Sequence, residues 1–344
     1  MPRACILGLE GTAPSAGESA FFAEADPLGF ILFQRNCAGT EQVRGLTARL
    51  REISGRADAP ILIDQEGGRV ARLKPPEWRA PPAAARFGVL YRSDPSAAIR
   101  AARLNAELIG CELFDLGITV DCAPVLDLPQ PDADPIIGDR AFSCDVDAVT
   151  ELGAAFRDGL HAAGVLSVIK HIPGHGRARV DSHLALPRVT VSRDALAATD
   201  FAPFAALAGG PMPQSWAMTA HVVYEAIDRD RPATLSPVVV GEIIRREIGF
   251  DGILMSDDLS MRALSGPIGT RARDAIASGC DLALHCNGDM AEMEEIARHA
   301  PALSNQMTER LSQSLGALPK PQGFDRAAAV RELATLLKGV EGAD

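Results

Sequence analysis

Eight short apolar runs, separated by stretches with helical spacing, restrict this sequence more than any other feature. They lie at residues 5–9, 30–33, 61–63, 118–120, 166–169, 217–219, 253–255 and 282–284. Between them, residues 96–116 hold Ile99, Leu104, Leu108 and Phe114 at helical spacing, and residues 237–248 have Pro near the start and Gly249 just past the end. Strands alternating with helices imply a parallel sheet, and eight repeats predict an α/β fold of the (β/α)8 TIM-type barrel class. The rival, an open doubly wound sheet, requires a glycine-rich phosphate turn after an early strand. Gly8-Leu9-Glu10-Gly11-Thr12 is a poor version of one. From about residue 291 the chain reads as two or three helices packed on the outside, with residues 319–323 as a linker between the last two. One catalytic domain over 1–344 is expected.

The residues just beyond each run are more telling. Ile63 is followed by Asp64, Val120 by Asp121, Ile169 by Lys170-His171, Ala220 by His221, Met255 by Ser256-Asp257-Asp258 and Leu284 by His285. In a barrel the carboxyl ends of the strands converge on one mouth, where barrel enzymes assemble their sites. Any strand must end in something polar. A set made of carboxylates, imidazoles and an ammonium is harder to dismiss as mere strand endings.

Three segments carry chemistry. Lys170-His171-Ile172-Pro173-Gly174-His175-Gly176 runs on to Asp181-Ser182-His183 and reads as a loop beyond the fifth strand, because Pro and Gly break any helix. In an extended backbone, Asp181 and His183 point the same way. The carboxylate then fixes the imidazole tautomer and leaves the other nitrogen for proton transfer. The plain alternative is a solvated loop with an incidental Asp–His hydrogen bond. His171 and His175 have a metal-ligand spacing only on a helix, which Ile-Pro-Gly forbids, so no metal site is expected. In Ser256-Asp257-Asp258 one carboxylate faces the site and the other makes structural bonds or caps the next helix. An aspartate among Lys and Arg stays ionised, as a nucleophile must. Asp64-Gln65-Glu66-Gly67-Gly68-Arg69-Val70-Ala71-Arg72 offers a glycine turn with two acids and two Arg; a carboxylate that accepts two neighbouring hydroxyls is the usual way of orienting a polyol, while Arg69 is read as a structural ion-pair partner. Arg140, in the loop after the fourth strand, reads on its own as solvated.

Composition closes off other classes. Lys plus Arg number 34 and Asp plus Glu 45, a net charge of −11, which argues against nucleic acid or an anionic membrane as the main partner. No apolar run approaches the ~18 residues of a membrane span, and the N-terminus lacks a secretory signal pattern. Seven scattered cysteines without a Cys-x-x-Cys pair fit reduced thiols in the cytoplasm. Only 16 residues are aromatic (12 Phe, 2 Trp, 2 Tyr), thin for a long aromatic cleft of the kind that stacks on an extended polymer.

The Asp64–Arg69 segment, Gly138-Asp139-Arg140-Ala141-Phe142, the Lys170–Gly176 motif with Asp181-Ser182-His183, and Ser256-Asp257-Asp258-Leu259-Ser260-Met261 closely resemble family 3 glycoside hydrolases. Within that family they are similar to the NagZ-type bacterial β-N-acetylglucosaminidases, in the same order over residues 4–300. Ile172 and Ala141 depart from that pattern, where Phe and Ser are common. The resemblance implies a β-N-acetylhexosaminidase with Asp257 as nucleophile, His183 as general acid/base and Asp181 as its partner. It implies that Asp64, Arg72, Arg140, Lys170 and His171 hold the N-acetylglucosamine ring. Barrels of this family can depart from regular strand order. The implied substrate is a muropeptide carrying N-acetylglucosamine on anhydro-N-acetylmuramic acid, met in cell-wall recycling by a cytoplasmic, monomeric enzyme without cofactor.

The expected chemistry is retaining. Asp257 forms a covalent glycosyl–enzyme, and His183 protonates the leaving oxygen and then activates water. An imidazole, with an unperturbed pKa of ~6.5, suits both roles at neutral pH. Substrate-assisted attack by the acetamido oxygen is the rival within this chemistry. A metal-dependent barrel hydrolase, sensitive to chelator, and a non-catalytic sugar-binding barrel, inert toward a chromogenic glycoside, are the rivals outside it.

Overall fold

The structure, a computed structural model, describes residues 1–209, 215–321 and 323–340. Eight strands close into a barrel: β1 (Arg3–Leu7), β2 (Pro27–Leu32), β3 (Ile61–Ile63), β4 (Val120–Asp121), β5 (Leu166–Ile172), β6 (Trp216–Thr219), β7 (Leu254–Asp258) and β8 (Leu282–His285). Each pairs in parallel with the next, and β8 returns to β1 through Ile6 beside Leu284. Strand order is therefore regular, and the irregularity that the resemblance allowed is not found.

The runs are apolar on both faces because both faces are buried, as a parallel sheet requires. Ile6, Ile31, Leu62, Val120, Val168, Met218 and Met255 fill the interior of the barrel. Leu7, Phe30, Ile61, Ile169, Ala217 and Leu254 pack outward against the helices.

The expected helix at 96–116 is Pro95–Asp115, with Pro95 in its first turn and the Asp94 side chain accepting the Ala97 N–H at 3.0 Å. The one expected at 237–248 is Val239–Glu247, wound as a π-helix: the Ile248 N–H reaches Ile243 O at 2.8 Å.

Of the C-terminal helices, Met290–His299 completes the barrel's outer ring and only the last two lie beyond it. Asn305–Gly316 crosses the amino-terminal end of the barrel, where Leu311 joins the interior cluster and Trp216 Nε1 donates to Ser314 Oγ at 3.2 Å. Arg326–Leu336 packs on Pro95–Asp115, with Arg326 bound to Asp115 at 2.6 Å and Arg100 to Glu332 at 2.8 Å. Gln322, within the expected linker at 319–323, and residues 341–344 lie outside the described residues. No described helix is long and apolar enough to cross a membrane, and all seven cysteines are free.

Two boundaries matter for the site. β5 does not stop at Ile169. It continues through Lys170 and His171 to Ile172, because the chain after β4 lies alongside it and the Leu126 N–H bonds Lys170 O at 2.7 Å. β7 likewise runs through Asp257 and Asp258, so both acids sit on strand ends and not in loops.

Candidate active site

The carboxyl ends of the strands surround a pocket of about 240 Å³. Asp64 leaves β3 toward it. Glu66, two residues on, follows on a short hairpin pairing Gln65–Gly67 with Val70–Ala71. Gly67 and Gly68 turn that hairpin with φ of +106° and +57°, where a Cβ on Gly67 would sit 2.3 Å from Pro82 O.

Five charges then alternate along the wall. Arg72 Nη2 bonds Asp64 at 2.8 Å, and Lys170 Nζ bridges Asp64 at 2.8 Å and Glu66 at 2.7 Å. Arg140 grips Glu66 with Nε and Nη2 at 2.9 and 2.8 Å. Burial works against charge on both acids, but Lys170 and Arg72 hold Asp64 far below the ordinary carboxylate range, and Arg140 and Lys170 bring Glu66 to about 2. Lys170 loses to burial and gains more from Asp64 and Glu66, so it stays protonated. With three cations and two anions, the wall carries one excess positive charge.

Arg72 is steadied from the other side by Phe33, whose ring centroid lies 4.7 Å from its guanidinium carbon. Arg140, which reads as solvated from sequence alone, is half-buried and closes the wall from the short turn Gly138–Arg140.

Asp257 lies across the pocket. One oxygen accepts the Asp258 N–H at 2.8 Å, and the other has no partner among the described residues. Burial opposes its charge, but His171, His221, the Asp258 amide and Lys170 prevail and keep the carboxyl below its ordinary value. Asp258 also borders the pocket, yet its oxygens are engaged by Ser260 N at 3.0 Å, Ser260 Oγ at 2.7 Å and Cys286 N at 3.3 Å.

Behind Lys170, Asp127 organises the turn after β5. It accepts from His171 Nδ1 at 2.7 Å, His171 N at 3.2 Å and His175 N at 2.6 Å. As the carboxylate only accepts, His171 carries its proton on Nδ1 and leaves Nε2 free.

Asp181 and His183 do meet, though not in the extended backbone expected. Residues 181–185 form a turn, with Leu184 N–H bonding Asp181 O at 2.9 Å. The Asp181 side chain folds onto residue 183, accepting both its backbone N–H and its Nδ1–H at 2.8 Å. His183 Nε2 is left for proton transfer. Those two bonds from His183 outweigh burial and lower Asp181.

Of the proposed residues, Asp64, Arg72, Arg140, Lys170, His171, His183 and Asp257 line the pocket, and Asp181 backs His183. Three strand-end groups do not reach it. Asp121 is buried beneath the hairpin and accepts Gln65 N at 2.9 Å, and burial raises it to about 8. His221 sits behind β7 on Thr234 Oγ1 and Asp258 O, and His285 bonds Glu292. Glu66 and Asp127 were missed as site-forming groups. Glu66 had a cue in its two-residue offset from Asp64, whereas Asp127 becomes important only when the turn after β5 folds back onto it. Among the described residues, no three His, Cys, Asp or Glu side chains come together as a metal-ligand set.

Known proteins are similar to this chain in sequence and fold. Residues 13–316 match the glycosyl hydrolase family 3 N-terminal domain. The chain is 41% identical over 298 residues to a β-hexosaminidase of Alkalilimnicola ehrlichii, covering 86% of this chain and 84% of that one. It is 36% identical over 347 residues to a β-hexosaminidase of Chromobacterium violaceum, covering 97% and 95%. Among solved structures, NagZ from Neisseria gonorrhoeae in complex with N-trifluoroacetyl-D-glucosamine superposes with a TM-score of 0.88 at 33% identity, over 98% of this chain and 99% of that one.

Proposed function

The chain belongs to glycosyl hydrolase family 3 and is a glycosidase of the β-hexosaminidase kind, and from that premise we propose that it releases terminal β-linked N-acetylglucosamine by a retaining, two-step reaction. The observation that carries this reading is that Asp257 and His183, far apart in sequence, line one pocket whose opposite wall is an array of alternating charges. The complex of the Neisseria relative with N-trifluoroacetyl-D-glucosamine supports an N-acylated sugar there.

In this mechanism the Asp257 carboxylate attacks the anomeric carbon while His183 Nε2–H protonates the departing glycosidic oxygen. His183, now neutral at Nε2, takes a proton from water, and the hydroxide equivalent displaces Asp257. Asp181 stabilises the imidazolium that exists before the first proton transfer and forms again with the second. Asp64, Lys170, Arg72 and Arg140 hold the ring hydroxyls, so that binding energy is applied at the reacting carbon. Three polar bonds hold Asp258, whereas Asp257 accepts one and keeps its other oxygen unpartnered among the described residues, so Asp257 is the carboxylate of β7 available for attack.

The sugar-releasing site faces a muropeptide bearing anhydro-N-acetylmuramic acid on its leaving side, in cytoplasmic cell-wall recycling, and the enzyme acts as a monomer. The test is hydrolysis of p-nitrophenyl β-N-acetylglucosaminide beside the corresponding glucoside, with and without EDTA. The N-acetylated substrate is cut, the glucoside is poor and EDTA changes nothing. Chelator-sensitive hydrolysis, or sugar binding without cleavage, overturns the proposal.

A further inference from the structure

Between the half-buried Asp181 and the exposed His183 sits a serine that faces inward. From Arg179 to Leu186 every residue is exposed or half-buried except Ser182, at 3%. Its Oγ lies 3.1 Å from His175 Nε2, and its carbonyl accepts the Ala263 N–H at 3.1 Å.

His175 has few other ties. Its ring is buried, and among the described residues its Nδ1 has no partner and Ser182 is the one side chain the ring bonds. Burial and the neighbouring His171 lower its pKa to about 4, so the ring is neutral. An unpaired acceptor nitrogen costs less than an unpaired N–H, which puts the proton on Nε2, donating to Ser182. A polar ring buried for one hydrogen bond is an expensive way to fill space.

We propose that Ser182 is a positioning residue, whose bonds to His175 and Ala263 pin the turn bearing Asp181 and His183 over the pocket. The proposal rests on His183 being the acid/base. Both anchors lead back to the machinery. His175 N–H is held by Asp127, the carboxylate that also holds His171, and Ala263 belongs to the segment that leaves β7 after Asp257 and Asp258. The pin thus sets the acid's place relative to the nucleophile and the sugar-binding wall. Small displacements of a proton donor weaken transfer to a poor leaving group, and leave an activated one untouched.

The test compares wild type, Ser182→Ala, His183→Ala and the double variant on N,N′-diacetylchitobiose and on 2,4-dinitrophenyl β-N-acetylglucosaminide. Ser182→Ala is expected to lower kcat on the disaccharide about 5- to 10-fold, the scale of one neutral hydrogen bond. It should change the aryl glycoside by less than about 2-fold, and the double variant should be no slower than His183→Ala alone. Ser182→Cys, which keeps the volume but weakens the bond, should show the same split. Equal losses on both substrates, a further loss in the double variant, or no loss at all would overturn the pin while leaving the acid role of His183 intact. Should His183→Ala itself slow both substrates equally, the acid role fails and the pin fails with it.

Discussion

Lys170, at the back of the pocket, has a side chain 2% exposed and holds two carboxylates, whereas His183, at its mouth, is 60% exposed and holds one. The wall is made on the ends of β3 and β5, the hairpin after β3 and the short turn Gly138–Arg140, and every charge in it has a partner of opposite sign. The loop is fastened by a side-chain-to-backbone turn and one buried serine. Binding a sugar's hydroxyls calls for groups already in place, since donors and acceptors that must reorganise lose the advantage of preorganisation. Passing a proton in two directions calls for a group close enough to solvent to give it up and take it back. In the proposed mechanism, rigidity and exposure are thus divided between binding and proton transfer, with Asp257 standing on the rigid side.

The largest effect that sharpens this contrast comes from Asp257. Asp257→Ala should lower kcat by roughly 10⁴-fold or more on every substrate, measured with both aryl glycosides and disaccharides. His183→Ala should cost roughly 10²- to 10⁴-fold on unactivated glycosides and far less on activated ones, with a melting temperature unchanged because the side chain touches little. Lys170→Met inverts that pattern. Leaving Asp64 and Glu66 buried without their shared cation should destabilise the fold by about 3–5 kcal/mol in denaturant unfolding, and weaken all substrates alike. A Lys170 variant as stable as wild type would break the contrast.

Acid titration separates the regions more gently. Glu66 sits near 2 in the fold against a free value of 4.5, so its contribution is complete above pH 4.5 and is lost as pH falls toward 2. Melting temperature should fall more steeply there in wild type and in His183→Ala than in Glu66→Gln. Asp121 has the opposite sign: raised from 3.8 to about 8, it makes stability decline as pH rises between those values. Asp121→Asn should remove that group's share of the slope, while its amide oxygen still accepts the Gln65 N–H.

Much of the barrel was legible because each strand is a run apolar on both faces, a pattern that survives in sequence without its partners. Boundaries were less so. β5 and β7 carry Lys170, His171, Asp257 and Asp258 as strand residues because neighbouring chain continues beside them, which no local pattern states. The meeting of Asp181 with His183 was legible, although a turn brings it about, since an aspartate reaches the amide two residues on from either backbone shape. Arg140 and Asp127 were not readable from local pattern. Each acquires its role from a distant element, Glu66 on the hairpin and the turn after β5, and a charged residue in a long loop looks the same before that return.

The central claim is that Asp257 forms a bond to the sugar. Incubation with a slow fluorinated N-acetylglucosaminyl fluoride, followed by digestion and mass spectrometry, should find one added glycosyl group on the peptide containing Asp257, and on Asp257 itself. Release of a cyclised sugar with unlabelled protein, or a label on any other residue, would contradict it.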